Sequence, residues 1–135
     1  MTRKTGFRRC YISCLLLAAP LAMAHHALPA EYDVNRPVTV MGKVTRIEWT
    51  NPHARFYVDV RERDGKITNW EFQLGSPNGL TRGGWSSKSL KPGDVVTVNG
   101  FLARDGAHLV STTAVHLSDG REVFAGSASD GSPVK

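Results

Sequence analysis

Short segments in which apolar and polar residues alternate, separated by glycine-containing turns, form the middle of the sequence. Ala54–Val60 and Lys66–Leu74 are two such segments. Their apolar members fall on one face: Phe56, Val58 and Val60 in the first, and Trp70, Phe72 and Leu74 in the second. A period of two is typical of a half-buried strand. Because Arg63-Asp64-Gly65 between them is a hairpin-type turn, we expect an antiparallel hairpin with facing aromatic side chains.

Further strand-like segments flank this hairpin, and one segment interrupts them. Four more stretches are rich in β-branched residues or bounded by turn signals: Val38–Trp49, Val95–Ala103, Ala107–Leu117 and Glu122–Phe124. Gly42 in the first stretch indicates a bend or a bulge. Ser76–Leu90 contains three glycines and a proline, so it accommodates one short helical turn around Leu80 and no long helix.

Five or six short strands with a non-β insert after the third predict an all-β domain. The expected fold is a small OB-like barrel with a short helical or loop insert, and a β-sandwich is the alternative. A barrel closes its own edges, which suits a small domain. We place the barrel at residues 37–125, after a leader at 25–36 and before a Gly/Ser-rich tail at 126–135 that we expect to be disordered.

The N-terminus has the three parts of a secretory signal peptide. Residues 1–10 carry four basic residues and no acid, Tyr11–Leu21 is a short apolar run, and Ala22-Met23-Ala24 supplies the small residues of a cleavage site. We expect residues 1–24 to be removed after Ala24, and the mature protein to lie in the periplasm with no membrane span. An N-terminal membrane anchor is the alternative. Arg8-Arg9 also resembles a twin-arginine signal, so both export routes stay open.

Loss of the signal peptide changes the charge and the cysteine content. The chain has 17 basic and 12 acidic residues, a net charge of +5. Four basic residues and no acid lie in the signal peptide, so the rest has 13 basic and 12 acidic residues, a net charge of +1. Cys10 and Cys14 are also removed. We therefore expect no nucleic-acid partner and no disulfide in the mature domain.

Cleavage after Ala24 would place His25 at the new N-terminus, followed by His26. A terminal histidine offers its α-amine and a ring nitrogen to one metal ion, and His26 adds a second imidazole. Amine and imidazole ligands suit copper, and also zinc or nickel. His53, after the rigid Asn51-Pro52 step in a loop, is the third candidate ligand. The alternatives are a polar leader for His25 and His26, and a turn-capping hydrogen bond for His53.

Other residue patterns are less specific. His108 and His116 lie too far apart on a strand to share one metal ion, and we interpret both as surface or rim residues. Trp49, Trp70 and Trp85 are either core residues or sugar-stacking platforms. No serine-hydrolase, metalloprotease or phosphate-loop motif occurs, so we expect no enzyme.

Several segments resemble the DUF6152 family of small exported bacterial proteins of unknown function. They are the His25-His26 pair, Tyr32-Asp33, "GKVTRIEWTNPHA", "SPNGLTRGGW", "LKPGDVVTV" and "LSDGRE". The resemblance implies export and fold but no activity. It marks eight motif positions: His25, His26, Asn51, Pro52, His53, Arg82, Gly84 and Trp85. We therefore expect an exported small binding or accessory domain, with copper or another transition metal as the candidate ligand. The alternative is a metal-free OB module that binds an envelope protein or a carbohydrate.

Overall fold

A computed structural model describes residues 31–125, which form six strands and one short helix. The elements are β1 (Tyr32–Glu48), β2 (Arg55–Arg61), β3 (Ile67–Gln73), α1 (Pro77–Arg82), β4 (Val95–Ala103), β5 (Leu109–Leu117) and β6 (Glu122–Ala125). The predicted signal peptide, residues 25–30 of the predicted leader and the predicted tail lie outside this range. Within the range, every predicted strand and the predicted helical turn are present.

The strands form one sheet that closes on itself. Their order is β3-β2-β1-β4-β5-β6, and neighbours in this order are antiparallel. The ring is closed by a parallel pairing between Glu71–Gln73 of β3 and Leu109–Ser111 of β5. A five-stranded ring with a helix between its third and fourth strands is the OB arrangement. The predicted barrel is therefore confirmed.

The interior of the barrel is filled by the apolar faces that the alternation indicated. Phe56 and Phe72 are opposite each other on β2 and β3, with ring centroids 5.1 Å apart and no exposed surface. Valines from β1, β2, β4 and β5 complete this core: Val44, Val58, Val96, Val98, Val110 and Val115. Burial of such side chains contributes roughly 1.5–3 kcal/mol each, so these faces determine the register of the strands.

The long strand β1 pairs with two neighbours, and Gly42 lies where both pairings overlap. Gly42 is opposite Val60 of β2 and Val96 of β4. A Cβ atom placed on it would overlap the carbonyl oxygen of Asp59 and the side chain of Val58. The irregularity in pairing with β2 falls between Val44 and Arg46, which makes Thr45 the bulged residue. Gly42 thus allows β1 and β2 to approach closely. The bulge that was predicted at Gly42 lies three residues later, at Thr45.

Two features differ from the sequence-based expectations. First, β1 begins at Tyr32, so residues 32–36 belong to the sheet and not to a leader. Asp33 is half-buried and Val34 to Pro37 are exposed, which removes the periodicity that would have indicated a strand. Second, His108 precedes β5 and lies in the β4–β5 turn, so it does not share a strand with His116.

Candidate functional site

The segment Asn51–Ala54 and the insert segment Arg82–Trp85 lie at the same end of the barrel, which we call the insert end. It comprises the β1–β2 loop (residues 49–54), α1 and the segment 83–90. The Ala54 amide donates to the carbonyl of Gly75 at 3.0 Å, and the Leu74 amide donates to the carbonyl of Ala54 at 2.8 Å. These two hydrogen bonds connect the β1–β2 loop to the start of the insert. The loop that carries Asn51, Pro52 and His53 is therefore joined to the segment from which α1 starts, and Trp49 of that loop lines the same cavity as Trp85 of the insert.

Local capping fixes the insert. Ser76 is the N-cap of α1, where its side chain accepts from the Gly79 amide at 3.1 Å, and Pro77 follows at a position that needs no amide donor. After the helix, Gly84 adopts a φ of +90°. The Trp85 amide then donates back to the carbonyl of Leu80 at 2.9 Å. The left-handed residue Gly84 thus turns the chain so that Trp85 returns to the barrel.

Beneath the insert lies a small apolar cavity. Two half-buried tryptophans, Trp49 and Trp85, line it together with core residues such as Leu74 and Leu80. The Trp85 and Phe124 ring centroids are 5.9 Å apart. The space available to the centre of a water-sized sphere is about 20 Å³, enough for about one water molecule. Trp49 and Trp85 therefore pack against the core here, and the cavity as it stands is too small for a sugar ring.

His53 is held by the same end of the barrel. Its ring nitrogen Nδ1 lies 3.2 Å from the carbonyl oxygen of Leu74, and the side chain is partly buried. Because a carbonyl can only accept, Nδ1 carries the hydrogen in this contact, and Nε2 is left without a hydrogen bond to any described residue. This contact reaches Leu74, 21 residues further along the chain and after β3, so it differs from the turn-capping hydrogen bond within the β1–β2 loop that was the alternative for His53. The contact fixes the ring, as a hydrogen bond from the second ring nitrogen to a carbonyl fixes a metal-binding histidine.

The other predicted site residues are placed as follows. The Asn51–Pro52 peptide bond is cis, and both residues are exposed beside His53. Arg82 ends α1 with its side chain at the surface. His25 and His26 lie outside the described residues. Within residues 31–125, no three His, Cys, Asp or Glu side chains are grouped in a way that could hold a metal ion. A centre at His53 therefore needs ligands from outside this range.

A polar network on the outer face of β1 and β2 was not predicted. The Arg46 guanidinium lies 4.0 Å above the Tyr57 ring and 3.3 Å from the Glu48 carboxylate, which accepts a 3.2 Å hydrogen bond from the Tyr57 hydroxyl. Burial, and then the negative charges of Glu71 and Glu48, raise the pKa of Tyr57. The alternation of apolar and polar residues in β2 indicates that Tyr57 faces outwards. Arg46 lies beside it only because of the pairing register of β1 with β2, which includes the bulge at Thr45.

A second unpredicted cluster anchors the beginning of β1. The Tyr32 hydroxyl donates to Gln73 Oε1 at 3.0 Å, and Tyr32 is only 1% exposed. Burial, followed by the charges of Glu31 and Glu71, raises its pKa. Gln73 pairs with Arg55 on one side and Ser111 on the other, and it precedes Leu74, whose carbonyl contacts His53. The start of β1 is therefore tied next to the His53 side of the barrel.

Arg55 also belongs to this cluster. Its Nε atom lies 3.2 Å from the Glu71 carboxylate but is not aligned for a hydrogen bond, and it has no other partner among the described residues. Coulomb attraction at this distance does not depend on the N–H···O angle, whereas a hydrogen bond does. The contact is therefore an ion pair without a hydrogen bond. Both charges act on Tyr32, where Glu71 raises and Arg55 lowers the pKa of the hydroxyl.

Trp70 lies at another part of the barrel and does not present an open platform. The His108 ring is parallel to the indole, with centroids 4.5 Å apart, and the Phe72 ring is nearly parallel at 6.4 Å. The indole Nε1 donates to Glu62 at 3.0 Å. His108 is exposed, as predicted, and His116 is half-buried with its Nε2 3.7 Å from the Glu122 carboxylate. Since His108 covers one face of Trp70, a sugar-stacking role for this tryptophan has little support.

Fold and site together define a small OB-type β-barrel with a histidine-bearing loop and a tryptophan-lined insert at one end. The chain belongs to the DUF6152 family, a family of unknown function, whose model matches residues 14–112. The predicted membership of this family is therefore confirmed.

Among solved structures, the chain is similar to Rim1, a mitochondrial single-stranded DNA binding protein from S. cerevisiae. The identity is 10%, the match covers 65% of this chain and 95% of that chain, and the TM-score is 0.48. Strand order and ring closure within residues 31–125 define the barrel. No match among curated proteins was found. In residues 31–125, no helix has the length and apolar character needed to cross a membrane.

Proposed function

We propose that the protein is an exported, non-enzymatic binding domain that takes copper or another transition metal in the periplasm. The signal peptide would be cleaved after Ala24, and the α-amine and ring of His25 would form a chelate. His26 and His53 would complete the ligand set. The contact that carries the proposal is the hydrogen bond of His53 Nδ1 to Leu74.

The orientation of His53 supports this role. A metal-binding imidazole usually donates its second ring nitrogen to a carbonyl or a carboxylate, which fixes the tautomer and the ring plane. His53 makes this contact at 3.2 Å, and its Nε2 atom has no hydrogen bond to a described residue. The ring is partly buried on a loop held to the barrel by the hydrogen bonds of Ala54. The His53 ring therefore offers one oriented ligand, and further ligands are needed to complete a metal site.

The start of β1 also supports the proposal. Tyr32 is tied to Gln73, the residue before the carbonyl that holds His53. Only five residues separate His26 from Tyr32 in the sequence. A chain of that length spans at most roughly 20 Å when extended. The reach of His26 from Tyr32 is thus about half the ~40 Å that a twelve-residue leader would allow.

The test compares Cu(II) affinity, by isothermal titration calorimetry, for protein beginning at His25 and for protein with one extra residue before it. The extension moves the amine away from the His25 ring and should weaken binding by about tenfold or more, as ligand losses do. His53→Ala should weaken it as well, while His116→Ala should leave it unchanged. Equal affinity for the native and extended proteins would exclude the terminal chelate.

Export has its own measurement. Intact-mass analysis and N-terminal sequencing of exported protein should show that it begins at His25, since the Ala22-Met23-Ala24 segment supplies the cleavage site. A mature protein that begins elsewhere would remove the terminal amine ligand. Such a result would favour the metal-free interaction module instead.

A further inference from the structure

A second concave surface lies outside the barrel beside the insert end. It is an open groove of about 600 Å³ between the bulged part of β1 and the segment 87–92, and we call it the basic groove. Three cationic residues line it, Arg46, Lys88 and Lys91, next to the apolar side chains of Ile47, Leu90 and Pro92. No carboxylate of the described residues is part of its lining. A surface with this composition favours an anion that carries an apolar part.

The cations of the groove are not fully balanced. Arg46 pairs with Glu48 at 3.3 Å, and Lys91 pairs with Asp94 at 2.9 Å. Lys88 is exposed and makes no ion pair with any residue of the described range. Arg46 is also held over the Tyr57 ring at 4.0 Å, which reduces the conformational freedom it would lose on binding an anion. Counting only partners within residues 31–125, the groove therefore retains one unpaired positive charge, at Lys88, beside the pre-ordered guanidinium of Arg46.

The apolar side of the groove adjoins the cavity beneath the insert. Ile47, Ser87 and Leu90 line both spaces and so form the wall between them. Ile47 is half-buried and Leu90 is 7% exposed, and on the far side of this wall lie Trp49 and Trp85. A ligand with its charged group at Lys88 would place an attached apolar chain against Ile47 and Leu90. Covering the exposed parts of Ile47 and Pro92 is favourable at roughly 25 cal/mol per Å² of apolar surface, whereas Leu90 has little surface left to cover.

We propose that the basic groove binds a single, freely dissolved anionic amphiphile, an acidic head group on a short acyl or aryl tail. Lys88 and Arg46 contact the head group, and Ile47, Leu90 and Pro92 contact the tail. The site uses none of the proposed metal ligands, so it is independent of the proposed metal-binding function. Three cations around one groove are too few to follow a nucleic-acid backbone, whose affinity depends on many phosphate contacts.

The probe is octyl sulfate below its micelle concentration, added to the full mature protein in EDTA at constant ionic strength. Binding is followed by calorimetry and by tryptophan fluorescence, because Trp49 and Trp85 lie behind the shared wall. Methyl sulfate supplies the head alone, and 1-octanol supplies the tail alone. Octyl sulfate should bind at least about tenfold more tightly than either fragment, since both contacts contribute. Equal affinity for 1-octanol, or for methyl sulfate, would overturn the proposal.

Charge reversal locates the site. Lys88→Glu should weaken octyl sulfate binding by about tenfold, because attraction of the head group becomes repulsion. The matched control is Lys66→Glu, the same change at an exposed lysine in the β2–β3 turn, and its affinity should stay within about twofold of the parent. Equal effects of the two variants would mean that net charge alone attracts the probe. Binding to phosphatidylglycerol vesicles without binding to monomeric octyl sulfate would show a membrane-docking surface instead and refute the proposed ligand.

Discussion

Replacing Gly42 with alanine should destabilise the barrel at the residue where β1 pairs with two strands at once. A Cβ atom there would lie well inside 3.0 Å of the Asp59 carbonyl oxygen and of Val58 Cγ1. The oxygen belongs to backbone, so relief requires β1 and β2 to separate. Overpacking in a well-packed core typically costs about 1–3 kcal/mol of stability. Because the neighbour here is backbone, we expect the upper end of that range, about 2–3 kcal/mol.

The measurement is urea unfolding of the purified protein followed by tryptophan fluorescence. Gly106→Ala is the matched control, because it adds the same methyl group at a glycine with a φ of +79° and nothing within 4 Å. Gly106→Ala should lower the free energy of unfolding by about 1–2 kcal/mol, the strain of an alanine in the left-handed conformation. If Gly42→Ala costs no more than Gly106→Ala, the strand separation implied by the overlap is wrong, and β1 must adjust locally.

Two further changes test the polar clusters of the fold. Thr112→Val should stabilise the protein by about 1 kcal/mol in the same urea assay. The Thr112 hydroxyl is fully buried and has no hydrogen-bond partner among the described residues, so replacing it with a methyl group removes the cost of burying it. A loss of stability would instead indicate that a water molecule or another partner binds the hydroxyl. Tyr32→Phe should weaken the fall in stability between pH 8 and pH 11.5. The raised pKa of Tyr32 keeps the folded state neutral while the unfolded tyrosine ionises above about pH 10, so stability is full below that pH and is lost as the pH rises. An unchanged alkaline loss would assign it to other groups such as Tyr57.

The hairpin of β2 and β3 was predicted with the correct faces because its pattern is local. Phe56 and Phe72 are buried opposite each other, as their alternation indicated. The first part of β1 was missed because only Tyr32 is fully buried there, and its strand conformation depends on backbone pairing with β4, where Tyr32 is opposite Ala103. A strand that is stabilised by backbone pairing and buries few side chains shows no alternation of apolar and polar residues in its sequence.

The candidate site was predicted only as separate segments. The sequence marked His53 and Trp85, but their convergence depends on the hydrogen bonds that link Ala54 to Leu74 and Gly75. The contact of His53 with Leu74 joins residues from different loops, and no spacing rule indicates it. The basic groove was also missed, since Arg46 and Lys88 are distant in sequence and meet only through the course of the insert. His25 and His26 remain a prediction.

The connectivity of β1 has a consequence for the timing of folding during synthesis. Residues of β1 from Tyr32 to Lys43 pair with β4, which ends at Ala103, about 55 residues after the end of β1. At ~5–20 residues per second, the ribosome takes roughly 3–11 s to make that intervening chain. Until then β1 has only the β2–β3 hairpin as a partner, and an isolated three-stranded meander of this size lacks most of the core. The barrel therefore has a high contact order and cannot close before nearly the whole domain has been synthesised, and β5 must follow before its parallel seam with β3 can form.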